Sequence, residues 1–400
     1  MLEVHVDHCK VGSLFKPESQ PDKFHFVYES DCPPESAVSL TMPVVREHYA
    51  SAYRSLHPIF DMNLPEGALA ERLRKEFSKV IPHFDALAML KIVGQSQIGR
   101  LRFAAPADKV LDMPAENLSD LLAHDGAEGL FESLLKRYAV HSGISGAMPK
   151  VLLRSSGRSE DLSRITHRGA THIVKAWTDE HPHLAENEFF CMRAALHAGL
   201  EVPQFELSKG GRFLVIERFE LSKQGYLGFE DFCVLNGKTA LQKYDGSYEN
   251  VAKRIKDYVS PENVRPSLES FFKALVLSCA VKNGDAHLKN FGVLYTHTES
   301  AVRLAPIYDL VTTTTYKPND ILALTLGGTK RWPAKKALIA FARTHCNLTE
   351  ARAQALLAEA VQGVQKASQE ATRHMDKKPR FKKMGAAMLD EWRQGLSHVG

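Results

Sequence analysis

Short apolar runs at residues 4–6, 12–15 and 24–28, split by Pro and Asp clusters, predict strands near the N-terminus. A loop over 60–67 then leads into helical periodicity at 68–79 and 84–93, with a turn at 94–99. After a linker of mixed character at 104–117, residues 118–138 read as one helix. Alternation returns at 171–177 (Thr-His-Ile-Val-Lys-Ala-Trp) and in the apolar stretch 211–219, both predicted strands. Between them, 185–198 forms an amphipathic helix closed by Gly199. Leu268, Phe271, Phe272, Leu275, Val276, Cys279 and Ala280 recur at the spacing of a buried helix face. Gly284 is expected to end that helix as a left-handed cap. Apolar runs at 291–295 and 302–305, around a His-Thr-Glu-Ser turn, predict a hairpin. A further helix spans 349–372, with Leu356, Leu357, Ala360, Val361 and Val364 on one face.

Composition narrows the class. The chain has 400 residues, 44% hydrophobic and 24% charged, as an ordinary globular protein does. A net charge of +4 is mild and does not call for nucleic acid by itself. Its six cysteines are scattered without a Cys-x-x-Cys pair, which argues against a metal cluster or disulfide framework and for a reducing cytoplasmic home. No signal peptide or membrane span is expected.

The chemistry concentrates in residues 282–295. Asp285 and Asn290 stand five apart, with His287 and Lys289 between them, the Asp-x-x-x-x-Asn spacing of a kinase catalytic loop. There the Asp takes the proton of the attacking hydroxyl and the Asn carboxamide holds magnesium. Asp309, beyond the predicted hairpin, supplies the second hard oxygen ligand such a site needs. Upstream, the loop 141–150 carries Gly143 and Gly146 and runs into an apolar strand. Such a loop is a hairpin turn or one whose backbone N–H groups approach phosphate, and no Walker pattern follows. Lys175 lies mid-strand and precedes Glu186 and Glu188 on a helix, the order of a kinase lysine–glutamate pair. Residues 374–383 hold Lys377, Lys378, Arg380, Lys382 and Lys383, a solvated surface or a phosphate-backbone contact.

In order along roughly 11–330, these motifs resemble the HipA family of bacterial serine/threonine kinases, with some likeness to its HipT branch. The resemblance is carried by Asn63-Leu64-Pro65-Glu66-Gly67, Ser145-Gly146-Ala147, 171–175, Asn187-Glu188 with Met192, Glu217-Arg218-Phe219, Lys243-Tyr244, 283–290 and Tyr308-Asp309-Leu310. It implies an α/β plus all-α fold, two-lobed and atypical-kinase-like, with a small N-terminal α/β module. The expected domains are an N-terminal subdomain (1–104), a nucleotide-binding lobe (118–222) and a helical lobe with the catalytic loop (223–400).

The resemblance further implies ATP and Mg2+ as cofactors. Asp285, His287, Asn290 and Asp309 would be catalytic, with Asn290 and Asp309 on the metal. Nucleotide contacts would come from Ser145, Gly146, Ala147, Lys150, Lys175, Glu188, Glu217, Phe219, His287, Asn290, Tyr308 and Asp309. Expected partners are a protein substrate such as an aminoacyl-tRNA synthetase and a helix-turn-helix antitoxin. Operator DNA would be reached through the antitoxin complex, with Lys377, Lys378 and Arg380 on its backbone; no membrane is expected. Gly143 stands where the family loop usually opens with an autophosphorylated serine. Modification is therefore expected at Ser145, with Ser142 as second choice, and Gly143→Ser is expected to increase it. Two other functions compete: a small-molecule phosphotransferase of the aminoglycoside-kinase kind, and a catalytically idle co-repressor.

Overall fold

The computed structural model describes residues 1–400 except 8, 52–54, 82, 107–113, 124–128, 147, 156–169 and 224. The chain divides into two compact units: 1–176, 208–241 and 293–301 in the first, and 177–207, 242–292 and 302–400 in the second.

The first unit is α/β. Strands β1 (Leu2–Val6), β2 (Cys9–Phe15), β3 (His25–Tyr28), β4 (His48–Ala50) and β5 (Leu101–Ala104) form an antiparallel sheet in the order β4-β3-β2-β1-β5. Alternation makes the inner face: Val4, Val6, Phe26, Leu101 and Phe103 are buried. The predicted helices appear as Gly67–Phe77 and Ala86–Val93. Strands β4 and β5 are additions to the sequence reading. A second sheet runs β6 (Ala115–Glu116), β7 (Lys150–Ser155), β8 (His172–Ala176) and β9 (Phe213–Glu217) in that order, antiparallel except for β6 and β7. The single helix expected over 118–138 is two, Leu118–Ala123 and Leu130–Tyr138, with 124–128 outside the described residues. Gly129, at φ +91°, stands before the second helix in a conformation that no helix interior adopts.

The second unit is mainly helical. Its central helix, Pro261–Ala280, is buried almost all round from Ser267 onward. Fully burying residues such as Phe271 and Phe272 contributes about 1.5–3 kcal/mol each. Helix Glu350–Lys377 packs against it and against Leu184–His197, while Lys382–Val399 brings the buried Trp392 beside the loop near Thr312. The predicted left-handed cap exists but two residues earlier than expected. Lys282, not Gly284, has positive φ (+56°). The Asn283 amide donates to the Ser278 carbonyl at 2.8 Å and the Lys282 amide to Cys279 at 3.3 Å, the paired bonds of a Schellman turn. Gly284 is needed for a different reason: a Cβ there would collide with the Asp320 carboxylate and the Ile321 carbonyl.

Among the described residues, no helix is long and apolar enough to cross a membrane.

Candidate functional site

The turn that ends helix Pro261–Ala280 launches the Asp285–Asn290 loop, and almost every backbone group around it is tied down. The Gly284 amide donates to Thr313 Oγ1 at 2.8 Å, the Asp285 amide to Asn283 Oδ1 at 3.0 Å, and the Leu288 amide to the Lys243 carbonyl at 3.1 Å. Tyr248 Oη donates to the Ala286 carbonyl and Tyr308 Oη to that of Lys289.

Asn290 is buried, and its Nδ2 donates to the carbonyls of Asp285 (2.9 Å) and Asp309 (3.4 Å). One carboxamide therefore joins the two acidic positions, and its oxygen is turned away from both carbonyls. Asp309 itself has φ +60°, a region that costs a non-glycine residue energy and that Asp tolerates better than most.

That strained turn is clamped from behind. Asn187, with no exposed surface, accepts from the Thr312 amide at 2.9 Å and donates to the Thr312 carbonyl at 3.0 Å. Trp392 Nε1 donates to Thr312 Oγ1 at 2.7 Å.

The half-buried Asp285 carboxylate is held above the ordinary Asp range. Burial is the largest cause and the Asp309 charge adds to it, against the Tyr244 hydrogen bond and Lys243, which pull it down. His287 Nε2 is 3.9 Å from Asp285 Oδ1, too far for a hydrogen bond. A divalent cation fits this donor set. The Asn290 carboxamide and Asp309 carboxylate are hard oxygen ligands, and a positive ion would relieve the repulsion between the two carboxylates. Among the described residues no three His, Cys, Asp or Glu cluster as a metal cage. A cation here would draw its remaining ligands from water and substrate oxygens, as magnesium commonly does.

The first unit carries the candidate phosphate loop. Lys150 and Lys175 are paired residues across β7 and β8, and both are buried. Like charges opposed on one sheet face repel, so a polyanion such as a triphosphate would stabilise the pair. Lys150 Nζ folds back to the Ser145 carbonyl at 3.3 Å and fills the space that a Cβ on Gly146 (φ +119°) would take. Ser145 Oγ donates to the Glu66 carboxylate, which gives the Asn-Leu-Pro-Glu-Gly motif a role the sequence did not reveal. Ala147 lies outside the described residues.

Ser142, the second expected acceptor, has no exposed surface; its hydroxyl donates to the Tyr138 carbonyl and accepts from the Leu152 amide. Gly143 is closely packed. Its amide donates to the Ser96 carbonyl at 2.9 Å, and a Cβ would strike that carbonyl and the buried Gln97 side chain. A serine side chain at 143 would therefore have to displace the Ser96 carbonyl or the Gln97 amide.

At the end of β9, Glu217 and Phe219 are partly exposed while Arg218 and Glu220 are buried, as strand alternation requires. Arg218 Nε donates to Glu220 at 2.7 Å, and its terminal nitrogens bind the carbonyls of Ala170 and Gln97. In the second unit, Glu188 is buried on helix Leu184–His197. Its neighbour Glu186 is taken by His183 (2.5 Å) and His374 (2.9 Å). Lys377 and Arg380 are exposed and Lys378 partly so, at the end of helix Glu350–Lys377.

The HipA N-terminal domain matches residues 2–104, and the HipA-like C-terminal domain matches 142–368. Y4dM and Y4mE of Sinorhizobium fredii are 31% and 32% identical to the chain over 182 and 200 residues, 42% and 48% of it. The matched segments span less than half of either relative, 43% and 44%. The serine/threonine-protein kinase toxin HipA of Shewanella oneidensis is 24% identical over 79% of the chain and 76% of that protein. A chain in the solved Shewanella oneidensis complex of HipA, HipB and operator DNA superposes with a TM-score of 0.72 at 18% identity, covering 100% of this chain and 98% of that one. The fold is thus HipA-like, and the chain belongs to the HipA family.

Proposed function

We propose that this chain is an ATP- and magnesium-dependent serine/threonine-protein kinase acting as the toxin of a bacterial toxin–antitoxin module. The observation that carries the proposal is the Asn290 carboxamide joining Asp285 to Asp309 in a loop whose backbone is fixed on all sides. Asp285 takes the proton of a substrate hydroxyl as that oxygen bonds to the γ-phosphorus and the bond to ADP breaks. Asn290 and Asp309 would hold magnesium, which when bound would supply charge neutralisation for the transferred phosphate. The pre-fixed loop lets the chain stabilise that charge without reorganising. Lys150 and Lys175 bind nucleotide phosphates, together with the loop around Ser145.

Likeness to the Shewanella serine/threonine-protein kinase toxin favours a protein substrate over a sugar or aminoglycoside, and we infer one in translation, such as an aminoacyl-tRNA synthetase. The same likeness favours a helix-turn-helix antitoxin as partner. In a complex of this chain with such an antitoxin, Lys377, Lys378 and Arg380 would contact the operator backbone. The test is a phosphoproteome after brief expression of the wild type and of Asp285→Asn. New phosphoserine or phosphothreonine on a translation protein, present only with the wild type, is expected. Identical phosphoproteomes with equal growth arrest would favour the idle co-repressor.

A further inference from the structure

Within the catalytic loop's surroundings one contact is not used by the mechanism above. Tyr244 Oη donates to Asp285 Oδ1 at 2.5 Å. Its ring stands edge-on to His287, with centroids 5.0 Å apart, and 41% of the residue remains exposed. A hydroxyl on the base's carboxylate is either a cover that must leave before substrate enters or a fixed positioning group. The backbone around it favours the second. The Lys243 carbonyl accepts from the Leu288 amide, inside the catalytic loop itself. On the other side, the Tyr244 carbonyl accepts from Lys330 Nζ at 3.4 Å, and the Thr325 amide donates to the Gly246 carbonyl at 3.2 Å. Tyr244 is therefore anchored to the loop on one side and to the 325–330 segment on the other. Its backbone is thus held in place beside Asp285.

We propose that Tyr244 is a positioning residue for phosphoryl transfer, holding Asp285 by Oδ1 so that Oδ2 faces the acceptor hydroxyl. The inference rests on the kinase reading above. A free carboxylate rotates about its terminal torsion with little preference. One oxygen bonded to a ring locked against His287 removes that freedom, which is how a precise site keeps its base in line. The hydroxyl also takes up one lone pair of Oδ1, which leaves Oδ2 the freer oxygen to receive a proton.

The test uses the full chain with Mg-ATP, reading phosphate transfer to water and to dephosphorylated casein. Four forms are compared: wild type, Tyr244→Phe, Asp285→Asn and the double variant. Phe keeps the ring contact with His287 and loses only the hydroxyl. Expected for Tyr244→Phe is a kcat about 10-fold lower, the scale of one hydrogen bond to a charged group, with KM for ATP within about twofold. In the Asp285→Asn background the same change should have no further effect, because the two residues act as one unit.

An unchanged or faster Tyr244→Phe would overturn the proposal and make the tyrosine a cover. Effects that multiply in the double variant would overturn it too, since Tyr244 would then act elsewhere than through Asp285. If Asp285→Asn itself keeps the wild-type rate, or the wild type transfers no phosphate, the kinase reading fails and this inference with it.

Discussion

Asn187 offers the sharpest perturbation, because it touches no reacting group yet holds the segment that carries Asp309. Replacement by Leu keeps the approximate size and removes both polar atoms. The Thr312 amide then loses its acceptor in a region without water access, at about 1–3 kcal/mol for an orphaned buried donor. The Thr312 carbonyl fares better, since Thr315 Oγ1 still donates to it at 2.8 Å; its lost bond costs about 1 kcal/mol. The sum, about 2–4 kcal/mol, falls on local opening of the 309–315 turn. At 1.4 kcal/mol per factor of ten, amide exchange in peptides covering that turn should be about 30- to 1,000-fold faster. Peptides from helix Lys335–His345 should exchange as in the wild type. Unchanged exchange at 309–315 would refute the clamp, and equal acceleration everywhere would mean global destabilisation instead. Magnesium-dependent nucleotide binding should weaken alongside, because the strained Asp309 backbone depends on its neighbours to stay where it is.

Other consequences are simpler. Asp309→Ala and Asn290→Ala should each abolish the magnesium dependence of nucleotide affinity, seen by titrating ATP with and without the ion; an affinity indifferent to magnesium in the wild type would contradict the ligand assignment. Gly143→Ser should cost about 1–3 kcal/mol through overpacking against the Ser96 carbonyl. Intact mass after incubation with ATP should show no phosphate beyond that of the wild type, and a serine phosphorylated at 143 would refute this. Arg193 donates through two nitrogens to Glu370, holding its carboxyl at about 2, with His197 assisting. A depressed carboxyl stabilises the fold above its unfolded value near 4.5 and loses that contribution as pH falls toward 2. Glu370→Gln should therefore lower the melting temperature at pH 7, with a gap that narrows by pH 3; a constant gap would refute the ion pair's role.

Much of this was legible in the chain because it is local. The buried face of helix Pro261–Ala280 follows from side-chain periodicity, and the Asp285–Asn290 spacing needs only a curled loop. Strand β8 with Lys175 follows from alternation. What stayed hidden depends on partners far along the chain. Strand β5 pairs with β1 across about a hundred residues, and no local pattern announces that. The opposition of Lys150 to Lys175 is a matter of strand register, which sequence alternation does not set. Asn187 belongs to a sequence motif, but its work on Thr312 is a contact between a helix and a loop far downstream in sequence. Glu66 and Tyr244 were likewise motif letters without roles. The cap moved to Lys282 because Gly284 serves a close approach to Asp320, and a glycine's reason cannot be read from its presence.

Asp285 is proposed to act in the chemical step and not in nucleotide binding, and single-turnover kinetics separate the two. Single-turnover transfer of labelled γ-phosphate is compared for the wild type and Asp285→Asn, with Mg-ATP affinity measured on the same preparations. Transfer should be slowed by about 10³, some 4 kcal/mol of barrier, at a nucleotide affinity within a few-fold of the wild type. Transfer at the wild-type rate, or affinity lost in step with transfer, would contradict it.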